Sequence, residues 1–219
     1  QPIELLLEVN KKIFYKKALR MLFPKDIEKT GSESPYLNED ILKMLSVTTS
    51  KKKIALIQFF ASTGARPAVL QDPILRFKHV TPMLNGCKGI KMYDGSNEEY
   101  WGFLTPEASK ALDDYVDERI NLGEKITNDS PVFIVRKQWK QFDPQNVSPL
   151  TSRTAYSWFV PIMKKSGVER IKRGERFDKA LFYGFRKRFN TILKLDSEIN
   201  SNIAEKLMAH KKGLDGVYF

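Results

Sequence analysis

Cysteine and histidine are scarce in this chain: Cys87 is its single cysteine, and His79 and His210 are its only histidines in 219 residues. One thiol excludes an internal disulfide and a cysteine-rich zinc site, and two imidazoles make a histidine-based metal centre a poor reading. Long apolar runs are missing as well. No stretch reaches the roughly 20 apolar residues that a bilayer-spanning helix needs, and no secretory h-region is present. Internal repeats and low-complexity tracts are absent. Negative charge is in deficit: 26 Asp and Glu face 37 Lys and Arg, leaving a net charge of +11 and a pI near 9.6. Such a surplus favours a polyanionic partner, with DNA or RNA the usual one. A basic membrane-surface protein is the rival, and the lack of an apolar span favours a soluble, cytoplasmic protein instead. Gln1 in place of an initiator Met reads as the start of a fragment.

What is present is ordinary globular material, 42% hydrophobic and 29% charged, long enough for one sizeable core. Apolar residues at helical spacing (Leu6, Val9, Ile13, Leu19, Leu22) predict a helix from Ile3 to Phe23 that stops at Pro24. The polar stretch Lys25 to Pro35 reads as a linker. The expected domains are therefore 1–35, an N-terminal helix and linker, and 36–219. In the second, helices are expected from an Asn38 cap through Leu45, over Lys53 to Ala61 with a stop at Thr63-Gly64, and from Pro67 to Gln71. Gly89 to Tyr93 and Tyr100 to Leu104 are extended runs around Asp94-Gly95-Ser96-Asn97, a hairpin signal. Further helices are expected from Thr105 to Leu122, Thr151 to Ser166, Leu181 to Leu195 and Ile199 to Ala209, with a short strand over Val132 to Val135. Val168 to Lys179 reads as a basic loop. The expected fold class is mainly α with a small antiparallel β-sheet.

Four features bear on chemistry. In Ala61-Ser-Thr-Gly-Ala-Arg66 an arginine follows a helix that ends at glycine, a corner able to aim a guanidinium out of an apolar scaffold. In Phe182-Tyr-Gly-Phe-Arg186-Lys-Arg188, Tyr183 and Arg186 are three apart and share a helix face, and a basic helix N-terminus suits a phosphate. The others are Glu205-Lys-Leu-Met-Ala-His210 and Gly213-Leu-Asp-Gly-Val-Tyr218-Phe219. Each has a bland reading when taken singly: a solvated arginine, core aromatics beside a charged face, a helix-capping histidine, a packed tyrosine.

In this order the four resemble the tyrosine recombinase (integrase) family, whose pattern runs Thr-Gly-x-Arg, His-x-x-Arg, Gly-His and then a Tyr. Here it stands as Thr63-Gly64-Ala65-Arg66, Tyr183-Gly184-Phe185-Arg186, Ala209-His210 and Tyr218. The stretch Tyr183 to Tyr218 is similar to the archaeal integrase branch, as is Glu98-Glu-Tyr-Trp-Gly-Phe-Leu-Thr-Pro-Glu-Ala108. The resemblance covers Tyr36 to Phe219. It implies the tyrosine recombinase catalytic-domain fold, a site-specific recombinase that cuts and rejoins double-stranded DNA at attachment sites through a 3′-phosphotyrosine on Tyr218, no metal and no cofactor. It also implies a homotetramer on DNA from a fragment that is monomeric alone, and an upstream core-binding domain of which the first helix is the end.

Two departures stand out. Tyr183 replaces the usual His, so a phenol that can donate a hydrogen bond stands where a cationic imidazolium is expected. Ala209 replaces the usual Gly, a small steric change. By the resemblance Arg66 and Arg186 clamp the non-bridging oxygens, Tyr183 and His210 add hydrogen bonds, and a hairpin lysine protonates the leaving 5′-oxygen. The turn Asp94 to Glu99 holds no lysine; Lys91 is the favoured candidate and Lys88 the alternative. The basic residues Lys164, Lys165, Arg170, Lys172, Arg173, Arg176, Lys187 and Arg188 fit a DNA-backbone contact surface, or else a merely solvated loop. The rival functions are a recombinase-like DNA-binding module without cleavage, a type IB topoisomerase, and a metal-dependent nuclease built on Glu98, Glu99, Asp113 and Asp114.

Overall fold

The computed structural model describes residues 9–10, 34–136, 143, 147–173, 176–196 and 198–209, with the side chain of Arg173 outside that description. The chain divides into two compact units, Gln1–Thr30 and Gly31–Phe219. The helix expected over Ile3 to Phe23, and nearly all of the linker after it, lie outside the described residues.

The second unit is built around the helix α2, Lys51–Thr63, which is preceded by α1, Asn38–Ser46. After its basic first turn α2 is apolar nearly all round, burying Ala55, Leu56, Ile57, Phe59, Phe60 and Ala61. A helix with no polar face has to sit in the middle of a core. It packs against α1, against α3 (Pro106–Asn121), against α5 (Tyr183–Leu195) and against the sheet. Phe60 anchors a ring cluster with Phe59, Phe159, Phe182 and Phe185, centroids 4.7–6.3 Å away, with Phe159 on α4 (Ser152–Ser166). Aromatic contacts in tilted and edge-on arrangements add roughly 0.5–1.5 kcal/mol each to the area they bury.

The sheet has three antiparallel strands in the order β1 (Val80–Pro82), β2 (Lys88–Met92), β3 (Tyr100–Leu104), with Ile90 opposite both Val80 and Gly102. One face is buried through Ile90, Met92 and Leu104, while Trp101 and Phe103 on the other are exposed. Two strand pairs complete the unit: β4 (Ile134–Arg136) with β5 (Val147–Pro149), and β6 (Lys172–Arg173) with β7 (Arg176–Phe177). The last helix is α6, Ser201–Leu207.

The expected helices are all present in this unit, with shifted ends. Pro67–Leu70 is a single 3-10 turn. The Asn38 cap is corrected: Leu37 is the capping position, and Asp40 supplies the helix start by accepting from the Leu37 N–H at 2.9 Å. The hairpin loop is longer than the signal Asp94 to Asn97 suggests and runs from Tyr93 to Glu99. The basic loop Val168 to Lys179 contains the small β6–β7 hairpin, and β1 and β5 carry no alternation long enough to read.

One buried ion pair fixes the far end of α3. Arg119 is fully buried and grips Glu124 through Nε (2.9 Å) and Nη2 (2.5 Å), while Nη1 donates to the carbonyls of Pro131 and Val132. Removing one partner of such a pair strands a charge without water. Glu124→Gln is therefore expected to lower unfolding stability by about 3 kcal/mol, read from denaturant unfolding; a loss below about 0.5 kcal/mol would mean that the pair acts like a surface bridge.

Candidate functional site: a two-arginine pocket

The corner carrying Arg66 is set by its neighbours. Gly64 ends α2 in the left-handed region, φ 58°, and a Cβ there would lie 2.6 Å from Cβ of Phe189 on α5. Both the turn and the close helix approach therefore require glycine. Pro67 then bars Arg66 from helical backbone, and Arg66 is extended at φ −75°, ψ 146°. Its half-exposed side chain reaches the hairpin turn, where Nη1 donates to Glu98 Oε2 at 3.1 Å.

Arg186 approaches from α5. Gly184 lets that helix start against Tyr36, whose ring a Cβ would meet at 2.5 Å, and the Tyr36 N–H donates to the Gly184 carbonyl at 3.2 Å. Arg186 is only 6% exposed. Its Nη1 donates to the Gly64 carbonyl at 3.1 Å and its Nη2 to the Met208 carbonyl just past α6. Burial, and then the nearby Arg66 guanidinium, pull the Arg186 pKa below its ordinary value. Two cations that repel each other this way share one region. They are brought together from opposite ends of the unit by Gly64, two residues before one and bonded to the other.

Two phenols line the same region. Burial raises the pKa of Tyr100 on β3, opposed by the nearby Arg186 and Arg66 guanidiniums. Tyr93, at the end of β2, is pushed up to about 12 by burial, with Arg66, Glu98 and Arg186 all acting on it. Neither tyrosine is among the site residues expected from the sequence. Tyr93 has φ 56°, so strand alternation stops before it, and nothing in the residue pattern signals that.

Of the other expected residues, Tyr183 opens α5, is 55% exposed, and lies near Arg186. Lys91 projects from β2 to Asp94 (2.6 Å) and Glu99 (3.2 Å), which hold its pKa above the ordinary value. Lys88 is turned to α3 instead, paired with Asp113 at 2.5 Å. His210 and Tyr218 lie outside the described residues. Ala209 has φ 50°, so replacing the usual Gly is a backbone matter, not only the small steric change expected. The four carboxylates of the nuclease reading go to four cations: Glu98 to Arg66, Glu99 to Lys91, Asp113 to Lys88 and Asp114 to Lys110. Such a dispersed set does not converge on a metal ion.

The basic set is divided. Lys164 and Lys165, in the last turn of α4, and Lys172 and Arg176 are exposed, and Lys187 is half-buried. Arg170 lies over the Phe177 ring at 4.2 Å and donates to the Lys179 carbonyl at 2.7 Å. Arg188 bridges helices, reaching Asn38 Oδ1 at 2.5 Å and the Ala61 carbonyl at 3.4 Å. No helix among the described residues is long and apolar enough to cross a membrane.

This framework is shared with solved structures. The XerA recombinase superposes with a TM-score of 0.58 at 16% identity, over 90% of this chain and 62% of that one. A lambda integrase dimer bound to a COC′ core site gives 0.59 at 14% identity, over 98% of this chain and 67% of that one. The XerH recombinase on a palindromic difH substrate, a post-cleavage complex, gives 0.59 at 19% identity, over 86% and 49%. The chain has the tyrosine recombinase catalytic-domain fold. No family profile matches the sequence, and no curated protein matches it. The chain spans about half to two thirds of the length of these structural neighbours.

In this state Glu98 supplies the anion on Arg66, and with both side chains well exposed that pair contributes at most about 1 kcal/mol. An incoming anion has to displace it. Glu98→Gln is expected to tighten the binding of inorganic phosphate up to about fivefold, measured by titration calorimetry, with little change in melting temperature. Weaker binding would instead show that Glu98 positions Arg66 for the anion.

Proposed function

We propose that the chain is a site-specific DNA recombinase, an integrase, that cleaves and rejoins double-stranded DNA through a 3′-phosphotyrosine on Tyr218. What supports this reading is that Arg66 and Arg186 lie close enough to repel each other, with Arg186 bonded to the carbonyl of Gly64, two residues before Arg66. Two guanidiniums offer forked, permanent charge to the non-bridging oxygens of a single phosphate, where negative charge grows in the transition state. The fold supports the same reading, since neighbours such as the lambda integrase and XerH were solved on DNA.

In the reaction Tyr218 Oη attacks phosphorus and the bond to the 5′-oxygen breaks. The phenol proton leaves as the oxygen–phosphorus bond forms, eased by the neighbouring cations, and Lys91 gives a proton to the departing oxygen. Asp94 and Glu99 keep Lys91 protonated, as a donor must be. Tyr183 and His210 add hydrogen bonds to the phosphate. A 5′-hydroxyl from a second strand reverses the step, and because the phosphodiester energy is held in the tyrosyl ester, no nucleotide is consumed.

Exposed Lys164, Lys165, Lys172 and Arg176 contact the DNA backbone in this reading, with Arg173 and Lys187 beside them. Arg170 and Arg188 contribute mainly by fixing the surface from within. The functional assembly is a homotetramer on paired attachment sites, formed from a chain that is monomeric alone. Residues 1–35 are the end of an upstream core-binding domain. Kinship with archaeal integrases rests on sequence alone, chiefly from Tyr183 to Tyr218, and a cytoplasmic, nucleoid-associated location follows from the substrate.

The test is covalent trapping on a library of nicked duplexes of random sequence, resolved on a denaturing gel. Wild type is expected to form a protein–DNA adduct and Tyr218→Phe none. Arg66→Lys should reduce adduct formation about 100-fold at an unchanged melting temperature, because the Arg66 side chain is 38% exposed. Duplex binding without any adduct would leave a DNA-binding module, and relaxation of supercoils by a monomer would indicate the topoisomerase reading.

A further inference from the structure

Tyr93 is the group in the pocket whose chemistry is unaccounted for. It is 7% exposed, and its hydroxyl is buried without a hydrogen-bond partner. Buried hydroxyls are nearly always satisfied, and leaving one orphaned costs stability. The backbone that places it is strained too, at φ 56° for an aromatic residue, and such strain gathers at ligand sites. The ring packs against Tyr100 with centroids 6.0 Å apart, and Tyr100 in turn lies near Arg186. The adjoining turn is held by its own bonds: Ser96 N–H to the Tyr93 carbonyl at 2.9 Å, and Gly95 N–H to Glu99 Oε2 at 2.9 Å. Glu98, carried by that turn, accepts from Arg66 Nη1 at 3.1 Å.

We propose that the Tyr93 hydroxyl is a further ligand of the phosphate held between Arg66 and Arg186, donating to a non-bridging oxygen once the Glu98 carboxylate has left Arg66. The inference rests on reading this pocket as a phosphodiester site. The phenol is well suited to the task. Its proton is retained at any physiological pH, so it acts as a fixed donor and does not compete with Tyr218 as a nucleophile. A neutral donor also grips the anion without adding to the repulsion between the two guanidiniums. Its hydrogen bond is made only with the anion in place, so the empty state bears the cost of the orphan.

The test titrates the full chain with inorganic orthovanadate, which adopts the five-coordinate geometry of phosphoryl transfer, using calorimetry on wild type, Tyr93→Phe and Arg66→Ala. Thermal melting of each variant without ligand accompanies it. Tyr93→Phe is expected to bind vanadate about tenfold more weakly while melting no lower than wild type, because the ring stays and the orphan goes. An unchanged affinity overturns the inference. So does a melting temperature several degrees lower, which would reveal a structural partner for the hydroxyl. If wild type fails to bind vanadate, or Arg66→Ala leaves binding intact, the phosphate reading of the pocket itself has failed. If Arg66→Ala abolishes binding and Tyr93→Phe does not weaken it, only the role of Tyr93 is lost.

Discussion

The arrangement depends on a buried guanidinium with backbone carbonyls on two sides. Arg186 reaches back to the carbonyl of Gly64 and across to that of Met208, so one side chain on α5 joins the end of α2 to the end of α6. A charge removed from water survives only when it is hydrogen-bonded, and these two carbonyls meet that need. Five donors and this set of partners leave N–H groups for a ligand. The same buried guanidinium thus ties the ends of α2 and α6 together, and its burial makes its charge more effective through a lower local dielectric.

The charge pattern gains meaning from this. A net +11 by itself points to a polyanion, yet the cations nearest the pocket are not bare. The turn from Tyr93 to Glu99 contributes Asp94 and Glu99 to Lys91 and Glu98 to Arg66. An acidic turn set against a basic pocket holds its lysine and arginine in place without the substrate. It also raises the threshold for weak anions, because any ligand has to outcompete carboxylates already attached. A polyanion, with many contacts made together, clears such a threshold more easily than a lone small anion.

Much of this is legible in the sequence where the physics is local. Helices with strong apolar periodicity, the glycine stop before Arg66, the proline after it and the Thr105 cap all lie where their side chains and backbones dictate. The two arginines are legible as a pair only through the spacing of four weak motifs, none persuasive alone. The pocket's other members are not. Tyr93 and Tyr100 read as ordinary strand aromatics, since their role comes from a left-handed residue at a strand end and from a contact with a helix far along the chain. Glu98 reads as part of a metal-dependent alternative because sequence shows a carboxylate and not which cation it meets. Arg188 reads as a surface cation because α5 begins with several, and sequence cannot say which of them points inward to Ala61 and Asn38.

Ala209 extends the reach of the buried guanidinium beyond the far end of α6. The residue holds φ 50° immediately after Met208, whose carbonyl accepts from Arg186. Left-handed backbone is unfavourable for alanine by roughly 1–2 kcal/mol, and glycine would adopt it freely. A chain that keeps alanine there has the turn enforced by its surroundings, and the Arg186–Met208 hydrogen bond is a partner able to enforce it. Anything that draws Arg186 toward an anion therefore bears on the conformation of the turn, and anything that relaxes the turn bears on Arg186. The sequence places His210 next after this residue, so the left-handed peptide and the carbonyl that accepts from Arg186 come immediately before the segment that carries Tyr218.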